Sequence, residues 1–134
     1  KSDGLSSKLQ ILLSKYQGLK HFIFDATIPE LFQYKKKGIP FLYRLSEYEM
    51  PSLLLEESSG IWYDKFHGDS ISEEEISSLL KYEKPLFIVS PELHGHDNHD
   101  FWESLNRFPL SKDVFLCTDE VKRVIDSFRM QIND

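Results

Sequence analysis

With a single cysteine, six glycines and no long apolar run, the 134-residue chain leaves several kinds of protein out of reach. Cys117 alone cannot form an intrachain disulfide or build a cysteine-based zinc site, so the expected setting is reducing and cytoplasmic. The glycines never gather into a phosphate-cradling loop behind an apolar run, which removes positive support for a nucleotide-binding open sheet. No apolar stretch approaches the roughly 20 residues that span a bilayer, and no signal peptide pattern is present, so no transmembrane segment is expected. Bases are also in deficit. Sixteen lysines and arginines face 22 carboxylates, giving a net charge of −6 and no basic face for nucleic acid. The one basic cluster, Lys35-Lys36-Lys37, closes a helical pattern, where cations meet the negative pole of the helix dipole.

What the chain does have is a repeated unit. Leu5, Leu9, Leu12 and Leu13 have helical spacing up to Gly18. His21 to Phe24 then reads as a short buried strand ending at Asp25, followed by a helix from Pro29 to Gly38. The same alternation recurs. Strands are expected at Ile39–Tyr43, Gly60–Tyr63, Leu86–Val89 and Val114–Cys117, with helical patterns around Leu53, after Ser72, around Phe101 and from Val121. Five strand-then-helix units imply an α/β fold with parallel strands in a single domain, residues 1–134. Two architectures fit that pattern: the later five strands of a TIM (β/α)8 barrel, or a five-stranded flavodoxin-like doubly wound sheet.

Parallel topology would bring every strand end to one rim. That rim collects Asp25, then Arg44, Ser46 and Glu47, then Trp62 and Asp64, then Ser90, Glu92 and His94, and finally Thr118 and Asp119. Such a set suits an anionic or polyhydroxyl substrate. Arg44 would clamp phosphate oxygens, Glu47, Asp64 and Ser90 would bind substrate, Trp62 would floor the pocket, and Glu92 and His94 would be the catalytic acid and base candidates, while Glu47, Glu92 and Asp64 could alternatively bind a divalent cation. Plainer roles exist for the same residues. Asp25 and Asp119 stand before helices as caps would, Arg44 could pair with Glu47, and Trp62 beside Tyr63 could be core. His94, His96 and His99 resemble a metal loop, but Asp97, Asn98 and Asp100 around them equally describe a solvated one.

Phe22-Ile23-Phe24-Asp25, Tyr43-Arg44-Leu45-Ser46-Glu47-Tyr48-Glu49, Gly60-Ile61-Trp62-Tyr63-Asp64, Val89-Ser90-Pro91-Glu92-Leu93-His94-Gly95 and Leu116-Cys117-Thr118-Asp119 together resemble bacterial glycerophosphodiester phosphodiesterase-like proteins. These belong to the phosphatidylinositol-specific phospholipase-like phosphodiesterase superfamily. The resemblance implies an eight-stranded α/β barrel of which this chain is the carboxyl-terminal part, an incomplete barrel lacking its amino-terminal strands. It also implies a metal-assisted phosphoric diester hydrolase acting on a small phosphodiester or sugar-phosphate, with a calcium or magnesium ion. The family's His-Arg-Gly strand and acidic metal ligands would precede Lys1, so the chain alone would be inactive. Lys1-Ser2-Asp3-Gly4 would close the third strand, placing Lys1 near the substrate phosphate. The Ser90-Pro91-Glu92-Leu93-His94 segment replaces a Trp-Thr pair usual in that family, which implies a different substrate preference. A non-catalytic phosphate- or sugar-phosphate-binding domain on the same fold is the alternative function.

Overall fold

A computed structural model describes residues 4–68, 70–107 and 112–132. Its elements alternate as the sequence pattern predicts: α1 (Leu5–Leu13), α2 (Ile28–Lys36), β1 (Leu42–Leu45), α3 (Leu53–Glu57), β2 (Gly60–Tyr63), α4 (Glu73–Leu80), β3 (Leu86–Val89), α5 (His99–Asn106), β4 (Val114–Cys117) and α6 (Val121–Ile132). A 3₁₀ turn over Pro91–His94 follows β3. Thr27 with Glu30, and Ser72 with Glu75, form reciprocal capping boxes that start α2 and α4. Among the described residues no helix is long and apolar enough to cross a membrane.

The four strands form one parallel sheet in the order β1-β2-β3-β4, so chain neighbours are sheet neighbours throughout. The first expected strand is reduced to one parallel bridge, Ile23 to Phe41. Ile23 N–H donates to Pro40 O (3.1 Å) and Leu42 N–H donates to Ile23 O (2.7 Å). Proline has no N–H for the ladder, so pairing cannot extend backwards through Pro40. The second strand is displaced toward its carboxyl end, where Arg44 and Leu45 pair with Trp62 and Tyr63. It runs over Leu42–Leu45 instead of Ile39–Tyr43, and Arg44 lies within it, not beyond it.

Strand residues alternate between two faces, and the faces differ. One packs Tyr43, Leu45, Ile61, Leu86 and Ile88 against Leu31, Tyr34, Leu54, Ile76, Leu79, Phe101 and Leu105 from α2, α3, α4 and α5. Leu9 and Leu13 of α1 and Val124 of α6 border the same cluster. Each fully buried Leu or Ile contributes about 1.5–3 kcal/mol through the area removed from water, so this face holds the fold together. The other face carries Leu42, Trp62 and Val89 with Phe87 and Cys117, and no described helix residue joins them. Aromatic rings cover it instead: Phe24 stacks on Trp62 (4.2 Å between centroids), Phe22 meets Phe87 edge-on (5.3 Å), and Phe87 stacks on Phe115 (4.6 Å). A doubly wound sheet needs helices on both faces and a reversal in strand order. Helices on one face with sequential strands are the arrangement of a (β/α)8 barrel segment, whose second face would point into the barrel.

Gly60 marks the tightest approach in the sheet. A Cβ there would stand 2.7 Å from Pro85 O and 2.9 Å from Leu42 Cδ2, so backbone as well as side chain would have to move. Gly60→Ala is expected to lower stability by about 1–3 kcal/mol, the usual cost of overpacking. Urea unfolding followed by circular dichroism measures it, and an unchanged midpoint would contradict the close packing of β2 against the start of β3.

Candidate functional site

Since all strands run the same way, Asp25, Ser46, Asp64, Ser90 and Thr118 leave the sheet along one edge. The ladder continues just beyond the strands: Asp64 N–H donates to Leu45 O and Ser90 N–H to Cys117 O, both at 2.9 Å. The expected rim is therefore present, but its charged groups fall into three separate clusters.

The first belongs to Arg44. Its Nε and Nη2 donate to the two oxygens of Glu49, the latter at 3.0 Å, and its Nη1 donates to Asp25. The sequence suggested Glu47 as its ion-pair partner. A tight turn instead brings Glu49 back, with Ser46 N–H and Glu49 N–H each donating to the other residue's carbonyl (3.4 and 3.3 Å). Asp25 is not a helix cap, since Thr27 takes that position. It sits at φ 55°, in the left-handed region, with its carboxylate turned to Arg44. The hydrogen bond to Glu49 raises the Arg44 pKa first, burial opposes it, and the fields of Glu49, Asp25 and Asp64 raise it further.

The second cluster pairs β2 with the turn after β3. Asp64 is buried, and His94 Nε2 donates to its Oδ1 at 2.7 Å. A carboxylate accepts only, so this contact fixes the His94 tautomer with hydrogen on Nε2 and leaves Nδ1 on the far side of the ring. The Phe66 ring lies against the imidazole, 4.7 Å between centroids. Phe66 is in turn held by the backbone. Glu47 accepts from the amides of Phe66 (3.1 Å) and His67 (2.9 Å), and His96 Nε2 donates to Phe66 O (3.0 Å). Burial pushes the Glu47 carboxyl up, but hydrogen bonds from its own amide and those of Phe66 and His67 outweigh it and lower the pKa. Glu47 is thus a loop tether. His96 is bonded rather than free in solvent, while His99 begins α5 and is largely exposed.

The third cluster surrounds Glu92. One carboxylate oxygen accepts from Ser90 Oγ and Asn98 Nδ2 (3.1 Å), and the other from Thr118 Oγ1 and Asp119 N–H (3.3 Å). Trp102 Nε1 donates to the buried Ser90 Oγ at 3.1 Å. Burial raises the Glu92 pKa, yet the bonds from Ser90, Thr118 and Asn98 win and lower it. An anion filled by four donors is held in place as a joint between the ends of β3 and β4. It has little left to offer as an acid at neutral pH. Cys117, next to it, is a poor nucleophile. Burial and then Asp119, Glu92 and Asp64 push the thiol pKa up.

Trp62 lies on the aromatic face under Phe24 and is nearly buried. Lys1 lies outside the described residues. Among the described residues no group of three or more His, Cys, Asp or Glu side chains could hold a metal ion. A hollow of about 950 Å³ opens between α1 and the segment from Ile23 to Thr27, lined chiefly by Leu5, Leu9, Leu12, Ile23, Phe24 and Tyr34. It is mostly apolar, with Lys8, Asp25, Thr27 and Glu30 also in its lining, and it is separate from the His94 and Glu92 clusters.

Glu49, Phe66, Asn98 and Trp102 complete these clusters and were not singled out by sequence reasoning. Glu49 had a signal in the Ser46–Glu49 turn, and Trp102 in an indole opening a helix. Asn98 had none. The chain matches no family model, no curated protein and no solved structure in the three comparisons made.

Because the folded-state pKa of Glu92 is lowered, the stability it supplies is complete above the ordinary carboxylate range and drains away as pH falls through the lowered value. Glu92→Gln is expected to cost about 1–3 kcal/mol at pH 7, since its donors lose a charged acceptor. The difference from the parent should shrink below about pH 4. Denaturant titrations at both pH values test this, and a penalty independent of pH would assign the loss to packing.

Proposed function

We propose that this chain is the carboxyl-terminal part of a (β/α)8-barrel phosphoric diester hydrolase of the glycerophosphodiester phosphodiesterase-like kind. The observation that carries the reading is the buried Asp64 carboxylate orienting His94 at 2.7 Å, on the rim where Arg44 also stands. One-sided helix packing supports the barrel, and the quoted motifs support the family.

In this reading His94 is the acid on the leaving-group side. Water attacks phosphorus and loses a proton to bulk solvent, the bond from phosphorus to the leaving alcohol oxygen breaks, and His94, entering the step with hydrogen on both ring nitrogens, gives that oxygen its Nδ1 proton and is reprotonated from solvent. Asp64 accepts from Nε2 and holds the ring in place for this transfer. Arg44 binds a phosphate oxygen by giving up Asp25, the more exposed of its two carboxylate partners. Glu47, Ser90 and Glu92 hold the loops that frame the pocket, and Trp62 with Phe24 forms its apolar floor. A divalent cation belongs to ligands preceding Lys1, and none of these steps passes through it. The rival reading, a non-catalytic phosphate- or sugar-phosphate-binding domain, draws on a specific observation: Arg44 and Glu92 already have all their main partners inside the chain.

The test is turnover of a panel of glycerophosphodiesters by the full-length parent protein, with and without chelator. Chelator-sensitive hydrolysis is expected, and His94→Gln or Asp64→Asn should lower kcat by about 10²–10⁴-fold with the fold retained. Absence of hydrolysis on every member of the panel would favour the binding domain. Full activity in His94→Gln would remove that residue from the chemistry.

A further inference from the structure

The loop that leaves β2 is restrained at successive residues. Asp64 N–H donates to Leu45 O (2.9 Å), Lys65 Nζ donates to Glu75 Oε1 (2.8 Å) and Ser70 O (3.1 Å), and Glu47 accepts from the amides of Phe66 (3.1 Å) and His67 (2.9 Å). The Phe66 carbonyl accepts from His96 Nε2 (3.0 Å), and the His67 ring is hydrogen-bonded to the Tyr48 hydroxyl. Loops are ordinarily the mobile part of a fold, and ordering one costs entropy that its contacts must offset. The Lys65 bonds tie the loop to the first turn of α4, whereas Glu47 and His96 grip the backbone of Phe66 on both sides, from the turns after β1 and β3. What Phe66 touches is His94: the two rings lie 4.7 Å apart between centroids, tilted by 50°. His94 donates from Nε2 to Asp64 Oδ1 at 2.7 Å, and among the described residues its Nδ1 has no hydrogen-bond partner. Its side chain is 23 % exposed, so enclosure does not fix it. One hydrogen bond fixes one atom of a ring and leaves the plane free to swing about that atom. Aiming Nδ1 takes a second contact away from it.

We propose that Phe66 is the positioning residue of the His94–Asp64 pair, and that Glu47 and His96 act on that pair through Phe66. The ring contact supplies the second restraint on the imidazole plane, and the two backbone grips keep the Phe66 ring from turning away. Loss of either grip lets Phe66 retreat while the bond from His94 to Asp64 remains. His94 then loses its aim before the sheet loses any pairing. Glu47, exposed on the rim, and His96, two residues beyond His94, thereby serve the pair without touching Asp64, and the ends of β1, β2 and β3 act on it as one unit. The kinetic consequence rests on the reading of His94 as the leaving-group acid. The structural consequence, a firmly held imidazole N–H, rests on the geometry alone.

The experiment is NMR of the full-length parent protein, isotope-labelled in histidine, reading how fast the His94 Nε2 proton exchanges with water. That resonance is expected to be visible in the parent and is the one that His94→Gln removes. Phe66→Ala should speed its exchange roughly three- to tenfold, the range an aromatic ring contact supports. Phe66→Tyr keeps the ring and should leave the rate at the parent value. Glu47→Ala and His96→Ala should each speed exchange about threefold or more, and His96→Gln, whose amide still donates, should restore it. In a Phe66→Ala background neither Glu47→Ala nor His96→Ala should add to the effect, since the ring through which they act is gone. Phe66→Leu takes the place of Phe66→Ala if circular dichroism shows the alanine variant unfolded. In turnover, Phe66→Ala should lower kcat by roughly tenfold with KM little changed. The proposal is overturned by a parent in which no held His94 N–H is seen, by exchange that removing the Phe66 ring leaves unaltered, or by Glu47→Ala and His96→Ala acting equally with and without that ring. A parent that shows this exchange pattern but no turnover would sink the hydrolase reading and uphold the positioning role.

Discussion

The packing of helices against one face of a sequentially ordered parallel sheet is the constraint from which the rest of this structure follows. It requires each strand to return by way of a helix on the same side, so each strand ends at the same edge. Among the described residues no helix side chain joins the cluster on the opposite face. Phe22, Phe24, Trp62, Phe87 and Phe115 pack on one another there, and several of these rings stay half open. An apolar face of this kind is stable where something else covers it.

Gathering polar groups at one edge does not by itself make a reactive centre. Most charges on this rim are spent on neighbours: Arg44 on Glu49 and Asp25, Glu47 on two loop amides, Glu92 on donors from the ends of β3 and β4 and the start of α5. Each arrangement satisfies a charge that would be costly to leave unpaired at a half-buried position. His94 differs. Only one of its nitrogens is given to Asp64, so its orientation is fixed while the ring retains a second polar atom.

The strand–helix alternation was legible in the sequence because it rests on period and on boundary residues. Ser72 before three glutamates and Pro29 in the first turn of a helix act locally, and both helices start where these residues place them. The clusters were less legible, because they depend on which way a side chain faces after a turn. Glu47 lay three residues from Arg44, and Glu49 five, yet the turn at Ser46 reversed their order of importance. Asp25 looked like a cap until its positive φ carried it back to the arginine. Pro40, with no amide to give, ends the pairing with the Ile23 segment, while Arg44 and Leu45 pair with Trp62 and Tyr63 and so put Arg44 in a strand and not in a loop.

That proline also sets an order of dismantling. The segment around Ile23 joins the sheet through two backbone hydrogen bonds, whereas every neighbouring pair from β1 to β4 shares a ladder of three or four residue pairs. A graded disturbance would peel the molecule from this end first, releasing Phe24 from Trp62 and Asp25 from Arg44 together. The guanidinium would then be free of one carboxylate while the rest of the sheet stayed closed. In this way the seam with the shortest ladder among the described strands and the carboxylate contact of Arg44 are the same place.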